Sequence, residues 1–517
     1  MFDTLIRNGL VVDGSGKPGF RADVAVAGDR IVEVGSFGEA KAAETIDATG
    51  LIVCPGFIDT HVHGDAMLLA DPLHEPAVRQ GVTTYIVGQD GSSYAPGNRE
   101  VIEYFRQYTA GFNGNPEIGW DWNGVDEYLG RFNNRVAINV AYLVPNGNVR
   151  MQVMGLADRR ATPDEMLAMR RLVRAGMEQG AVGLSSGLDY IPSRYADTLE
   201  LVELCREIAP FHGVYVTHMR SYAPQGVFGA MDEVATIARE ASVPVHISHF
   251  NARADRVLPR VEQDLASGVD LTFDMYPYLA GSSILAMVAL PPWVQEGGNE
   301  TTLCRLRDGK VRDELAEWFL QPKFTQNDLK LTAIAASEYR HLEGMMLNDA
   351  AKSVNKSIGD FICDVLVASH LMVGIIQFQR GRTEVDIHTM MRHSAHMAGS
   401  DGILVGGFAH PRGWGAFARY AGRYVQEQKL WTLEEAIHHL SYVAARRFGL
   451  GDRGCIARNM AADIVCLDPS RFTDNATFEN GRILATGVEH VLVNGQFVLR
   501  TGNRTVATPG GALRRRK

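Results

Sequence analysis

The chain has 517 residues, 46% of them hydrophobic and 21% charged, enough for a large core and more than one ordinary domain uses. A formal net charge of -9 disfavours nucleic acid or an anionic membrane surface as the main partner. Six scattered cysteines form no Cys-x-x-Cys pair, no run approaches the ~18 apolar residues of a membrane span, and the start lacks a basic-then-apolar signal pattern; a reduced, cytoplasmic setting is expected.

Short strand-like runs at residues 4–7, 10–12, 23–26 and 30–34 alternate with Gly- or Asp-containing turns, which predicts a small antiparallel sheet. The pattern returns at residues 462–468 and 490–499, so one β-domain built from both ends (1–56 and 450–517) is expected around an inserted middle. The run Arg514-Arg515-Arg516-Lys517 reads as a solvated tail rather than a binding arm.

The middle, residues 57–449, alternates strands and helices. Candidate strands end near His61, Asp90, Tyr142, Ser186, His218, His249, Tyr276 and Asp401, which makes eight. Thr162-Pro163-Asp164-Glu165 offers an N-cap, a first-turn proline and a capping-box Glu, followed by apolar Met166, Met169, Leu172, Val173 and Met177. Thr432-Leu433-Glu434-Glu435 opens another helix in the same way. Eight alternations argue for an α/β fold closed into a (β/α)8 TIM-like barrel rather than an open sheet. The stretch from about 283 to 390 is too long for one crossover and carries its own helical segments, near 304–320 and 358–369; it is read as an insertion before the last strand and a candidate lid.

Residues two apart on a strand share a face, so His61 and His63 should project together at the end of the first strand. Asp90 ends the second, His218 the fifth, His249 the sixth and Asp401 the eighth. Barrel active sites lie at this end of the strands, and four imidazoles with two carboxylates suit Zn²⁺ or a similar ion. Singly, each has a plainer account: an interior histidine with a satisfied partner, or an aspartate that only makes the Gly399-Ser400-Asp401-Gly402 turn. Their joint occurrence at strand ends is what points to a metal. His74, His212, His246, His388, His393, His410, His438 and His439 are read as structural or surface residues.

At these residues the sequence resembles the amidohydrolase superfamily, and within it the N-acyl-D-amino-acid deacylases (D-aminoacylases). The segment Pro55-Gly56-Phe57-Ile58-Asp59-Thr60-His61-Val62-His63 belongs to the superfamily at large. The deacylase branch is marked by its combination with Gln80-Gly81-Val82-Thr83-Thr84, Gly187-Leu188-Asp189-Tyr190-Ile191-Pro192, Thr217-His218-Met219-Arg220, Asp274-Met275-Tyr276-Pro277-Tyr278 and Gly399-Ser400-Asp401-Gly402. The resemblance implies a metal-bearing barrel, a small β-sandwich made by both termini, and hydrolysis of the amide of N-acylated D-amino acids. It implies one tightly held zinc on a second-strand residue with His218 and His249, and a weaker second ion at His61, His63 and Asp401. It also implies substrate contacts at Tyr190, Tyr276, Ser282 and Arg412.

Three departures stand out. Asp90 occupies the place of the family's metal cysteine; its harder oxygen admits Mn²⁺, Co²⁺ or Fe²⁺ beside zinc. Asn251 replaces a lysine near the substrate carboxylate, and Pro145-Asn146-Gly147 replaces a Gly-His-Gly. The expected mechanism has Asp90, His218 and His249 holding the main metal, Asp401 as general base and acid, and the planar fork of Arg412 orienting a substrate carboxylate. The expected partner is a small molecule bearing a carboxylate, with self-association into a homo-oligomer left open. Two other readings remain at this level: a cyclic amide, lactam or lactone hydrolase, and a non-catalytic barrel scaffold.

Overall fold

A computed structural model describes residues 2–321 and 326–515. Eight parallel strands follow one another in chain order: Phe57–Asp59, Val82–Val87, Asn139–Pro145, Gly183–Gly187, Val214–His218, Val245–Ile247, Leu271–Met275 and His396–Ala398. All are buried along their length apart from His218, as expected of strands covered on both faces. The ring nearly closes where the Thr60 amide (3.2 Å) and hydroxyl (2.9 Å) both donate to the Ala398 carbonyl. Just beyond, Val62–His63 pairs in parallel with Gly402–Ile403.

Helices cover the outside. Pro163–Glu178 begins with the expected capping box: the Glu165 amide donates to the Thr162 hydroxyl at 3.3 Å and the Thr162 amide to the Glu165 carboxylate at 2.8 Å. Thr432 and Glu435 make the same reciprocal pair ahead of Leu433–Ile437. Such caps satisfy amides that have no partner inside the helix.

Both chain ends build one nine-stranded sheet. Phe2–Val11 pairs antiparallel with Phe20–Ala27 on one edge; on the other it pairs in parallel with Ala42–Asp47 and then Ile52–Pro55. Ile464–Leu467 and Val488–Val493 continue the sheet from the far end of the chain. This layer encloses its own apolar cluster, including Ile6, Val24, Ile46, Val53, Ile464 and Leu492. The last described residues leave the sheet and run along the barrel, bridging Val136 and Val140 from Gly510 and Ala512. Arg514 and Arg515, expected in a solvated tail, are tied down instead. Arg514 pairs with Asp126 at 2.7 Å, and Arg515 donates to the carbonyls of Val182 and Phe448 at 3.3 Å. An ion pair and backbone carbonyls make this anchorage. Arg516 and Lys517 lie outside the described residues.

Between the seventh and eighth strands the chain leaves the barrel. Ala280–Ile284, Val373–Phe378 and Leu329–Ile334 form a three-stranded antiparallel sheet in that order, packed with helices that include Asn299–Arg307, Gly309–Phe319 and Ile358–Ala368. A separate core of Leu285, Leu303, Phe319, Leu331, Phe361 and Ile375 holds this unit together. No helix among the described residues is long and apolar enough to cross a membrane.

Candidate active site

Apart from the fifth, which ends on His218, these strands end short of the side chains that matter. Asp90 and Asp401 each lie three residues past their strand, and His61 and His63 lie two and four past theirs. The backbone bends there: Asp90, His249 and Asp401 have φ of 56°, 33° and 48°, a left-handed region that residues other than glycine enter rarely. Such conformations persist only when the surroundings over-determine them. Around Asp90 they do. Gly88 (φ 80°) supplies the turn, and a Cβ there would sit 2.3 Å from the Leu143 carbonyl. Ser185 donates to the Gly88 carbonyl at 2.5 Å and accepts from the Gly91 amide at 3.1 Å. The Gln89 carboxamide donates to the Thr60 carbonyl at 2.8 Å.

Asp90 is the hub. One of its oxygens lies 3.6 Å from His61 Nε2; the other lies 3.6 Å from His63 Nε2, 3.8 Å from His218 Nδ1 and 3.7 Å from His249 Nε2. His218 Nδ1 and His249 Nε2 approach each other to 2.9 Å. Two overlapping triads result, His61–His63–Asp90 and Asp90–His218–His249, each with its donor atoms within 4.8 Å of one another. Both nitrogens of His61 and one oxygen of Asp90 are buried without a hydrogen-bond partner. Buried polar atoms in native proteins are normally satisfied. Converging unpaired nitrogen and carboxylate oxygen therefore fit a divalent metal ion.

Asp401 stands beside the first triad and outside both. Its Oδ1 is 3.3 Å from His63 Nε2 and 3.8 Å from His61 Nε2, and its Oδ2 is 2.9 Å from Arg412 Nη1. Burial pushes its carboxyl up, but the Arg412 guanidinium and the neighbouring imidazoles outweigh burial and hold it down at about 2. For His61, burial favours the neutral ring, yet Asp90, Asp274 and Asp401 together raise it to about 10. The same histidines hold Asp90 well below the usual carboxylate range against the opposing effect of burial. Unlike charges packed together in low dielectric produce these opposed shifts.

His63, Asp90, His218 and His249 form the floor of a cavity of about 360 Å³, walled by the barrel loops and by the unit inserted before the eighth strand, and His61 is buried beneath them. Tyr190, Asn251, Tyr276 and Ser282 line it as the sequence suggests. The Tyr190 hydroxyl is 3.1 Å from His218 Nδ1. The Ser282 hydroxyl is engaged, donating to the Ile375 carbonyl at 2.8 Å. Arg412 is fully buried behind Asp401, its guanidinium 4.4 Å from the Tyr276 ring centroid.

Sequence reasoning missed the groups that hold this floor in place. Asp274, fully buried, accepts the His249 amide at 2.8 Å through one oxygen; the other lies 2.8 Å from His246 Nε2 and 3.6 Å from His61 Nδ1. Asp59 accepts the Ser400 amide (2.8 Å) and hydroxyl (2.5 Å) and the His61 amide (3.2 Å), clamping the first and eighth strand ends together. His246, expected to be structural or surface, belongs to this supporting layer. A signal existed: Thr272, Asp274 and Tyr276 alternate along one strand, so one face of an apolar run carries three polar groups. Phe112, Asp189, Tyr222, Gln377 and Gln379 also line the cavity, brought there by the short helix Ala110–Asn113, by loops and by the inserted sheet.

Comparison with known proteins agrees with this architecture. The amidohydrolase family model matches residues 44–499. A D-aminoacylase from Alcaligenes xylosoxydans xylosoxydans is 32% identical over 516 residues, covering 96% of this chain and 94% of that one. The crystal structure of an N-acyl-D-glutamate deacylase from Bordetella bronchiseptica, complexed with zinc and a phosphonate mimic of the tetrahedral intermediate, superposes with a TM-score of 0.84. It is 30% identical and covers 99% of both chains. A D-aminoacylase structure concerned with the functional role of its binuclear metal centre gives a TM-score of 0.82 at 31% identity, covering both chains completely. The chain belongs to the amidohydrolase family and, within it, to the D-aminoacylase branch of hydrolases that act on carbon–nitrogen bonds other than peptide bonds.

Proposed function

We propose that this enzyme hydrolyses the amide of N-acyl-D-amino acids, using Asp401 as general base and then general acid. The observation that carries the reading is the pair of candidate metal triads sharing Asp90 at the cavity floor, with the Asp401 carboxyl 3.3 Å from His63 beside them. Asp90, His218 and His249 would hold the main ion, zinc as in the deacylase relative or a harder divalent metal; His61 and His63, with Asp401 nearby, would hold a weaker second one. A bound metal supplies Lewis-acid polarisation of the acyl carbonyl and makes water a usable nucleophile at neutral pH.

The chain's own residues do the rest. Asp401 is a carboxylate at neutral pH, so its Oδ1 takes the proton of the attacking water and returns it to the departing amine nitrogen. Tyr276 lines the cavity, and Arg412, buried behind Asp401 with its guanidinium over the Tyr276 ring, places positive charge behind that wall, the Ser282 carbonyl accepting from it at 3.3 Å. The substrate is thus a small molecule bearing a carboxylate. The net charge of -9 argues against nucleic acid and anionic membranes, and six unpaired thiols suit a cytoplasmic setting.

The test is metal analysis of the purified protein followed by a screen of N-acetyl and N-formyl D- and L-amino acids beside small cyclic amides. Metal-dependent turnover of the D-isomers is expected. Turnover of cyclic amides alone would overturn the reading.

A further inference from the structure

Asp189 is solvent-exposed and lines the cavity, two residues past the end of the fourth strand. Backbone contacts fix its place. The Tyr190 amide donates to the Gly187 carbonyl at 2.9 Å, closing a tight turn around Leu188 and Asp189, and the Leu188 amide donates to the His218 carbonyl at 3.0 Å. Gly187 lets this turn press on the one that carries Asp90, since a Cβ there would sit 2.2 Å from the Asp90 carbonyl oxygen. An aspartate in a turn commonly serves it by hydrogen-bonding nearby backbone. This one does not: among the described residues its carboxylate has no hydrogen-bond or ion-pair partner. The rest of the lining gives it no counter-charge. The other titratable groups at the cavity's metal end are His63, Asp90, His218, His249 and Asp401, all committed to the floor, and no lysine or arginine among the described residues lines the cavity. Arg412, behind the wall, is already matched by Asp401 at 2.9 Å. A substrate whose only charge is its carboxylate would bring a second negative charge into a cavity that holds one unmatched, and like charges in a partly shielded space repel. Tyr190 and Tyr222 line the same cavity, and aromatic faces attract cations.

Resting on the proposed function, we propose that the substrate is a zwitterion: beside its carboxylate it carries a protonated amine, which the Asp189 carboxylate receives at the cavity wall. The ammonium has two possible sources with the same chemistry. It ends the side chain of the D-amino acid, as in a lysine-like residue, or it is carried by the acyl group, as in a glycyl group. Asp189 takes no part in the proton transfers, which stay with Asp401. It selects the substrate by its charge, and a contact made equally in the bound substrate and the transition state shows in KM rather than in kcat.

The test uses two matched pairs of compounds with the metal-loaded full chain at about pH 6.5, below the ~7.7–8.0 of an ordinary α-amine. N-acetyl-D-lysine is set against N-acetyl-D-norleucine, and glycyl-D-leucine against propionyl-D-leucine; in each pair the second member lacks the amine. The cationic-to-neutral ratio of kcat/KM is measured for the wild type and Asp189→Asn, with metal content checked in both. Intrinsic reactivity cancels in the comparison of ratios. At least one ratio should exceed one in the wild type and fall about threefold to tenfold in Asp189→Asn, the value of an ion pair at a half-open site, with the change carried by KM. A fall in the first pair puts the amine on the amino-acid side chain, and a fall in the second puts it on the acyl group. Ratios that stay within about twofold in both pairs, or a wild type that favours the neutral member of both, overturn the inference and leave the proposed function standing. So does turnover confined to other, neutral D-isomers. A wild type inactive on every N-acyl-D-amino acid overturns both.

Discussion

Removing Asp90 should disable both triads at once. Between them its two oxygens reach all four histidines, at 3.6 to 3.8 Å. Without them the floor falls apart into two histidine pairs, His61 with His63 and His218 with His249, and neither triad keeps three donors. Loss of a group that only supports a ligand typically weakens metal binding about 10- to 100-fold, so loss of a direct and shared ligand should cost at least about 100-fold. That is about 2.7 kcal/mol of binding and of the stabilisation the metal lends the fold. Asp90→Ala, dialysed beside wild type against a graded chelator and analysed by plasma mass spectrometry, should give up its metal at a chelator activity about two orders of magnitude lower. Asp90→Cys puts a thiolate in the same place and should retain metal, with preference moved toward zinc. Undiminished stoichiometry in Asp90→Ala would remove Asp90 from the ligand set and refute the assignment of a shared hub.

Asp401→Asn should lower kcat by about 10²- to 10⁴-fold while metal content stays near wild type; a wild-type-like rate would refute its role as the base. Acidification should unfold the protein through its buried neutral histidines. Burial holds His74 down at about 4 and pushes His396 well below its ordinary value, whereas in the unfolded chain both titrate near 6.5. The unfolded state therefore binds more protons below pH 6.5, so stability is full above that and is lost as pH falls toward 4. His74 alone accounts for about 3 kcal/mol over that window. Urea midpoints measured from pH 7 to pH 4.5 should fall accordingly, and should flatten in His74→Gln if the loss is His74's. Gly183→Ala should destabilise the barrel by about 1–3 kcal/mol, because the new Cβ would meet the Val214 carbonyl oxygen at 2.0 Å in the neighbouring strand. An unchanged denaturation midpoint would contradict that packing.

The eight-strand alternation was legible because strands buried on both faces are continuous apolar runs, and helix starts such as Thr162 carry their own capping chemistry. The candidate ligands could be proposed because each lies at, or within a few residues of, a strand end. Other features were not. Nothing local says that the pairing of the first strand stops at Asp59 and resumes at Val62–His63, so that the two histidines reach Asp90 from a bend rather than from a continuous strand. Arg514 and Arg515 look like tail residues until the Gln179 and Val182 carbonyls, more than 300 residues away in the chain, are brought near.

By itself, then, the chain's sequence determined the barrel and pointed to a histidine and aspartate cluster at one rim, since each rests on a local pattern of spacing and residue type. Only the tertiary structure made Asp90 the hub and set Asp274 and Asp59 beneath it. Those are properties of distance between residues remote in the chain. They arise when ring closure brings the ends of the first, second, fifth, sixth and eighth strands to one rim, where low dielectric makes every unpaired charge and hydrogen-bonding group count.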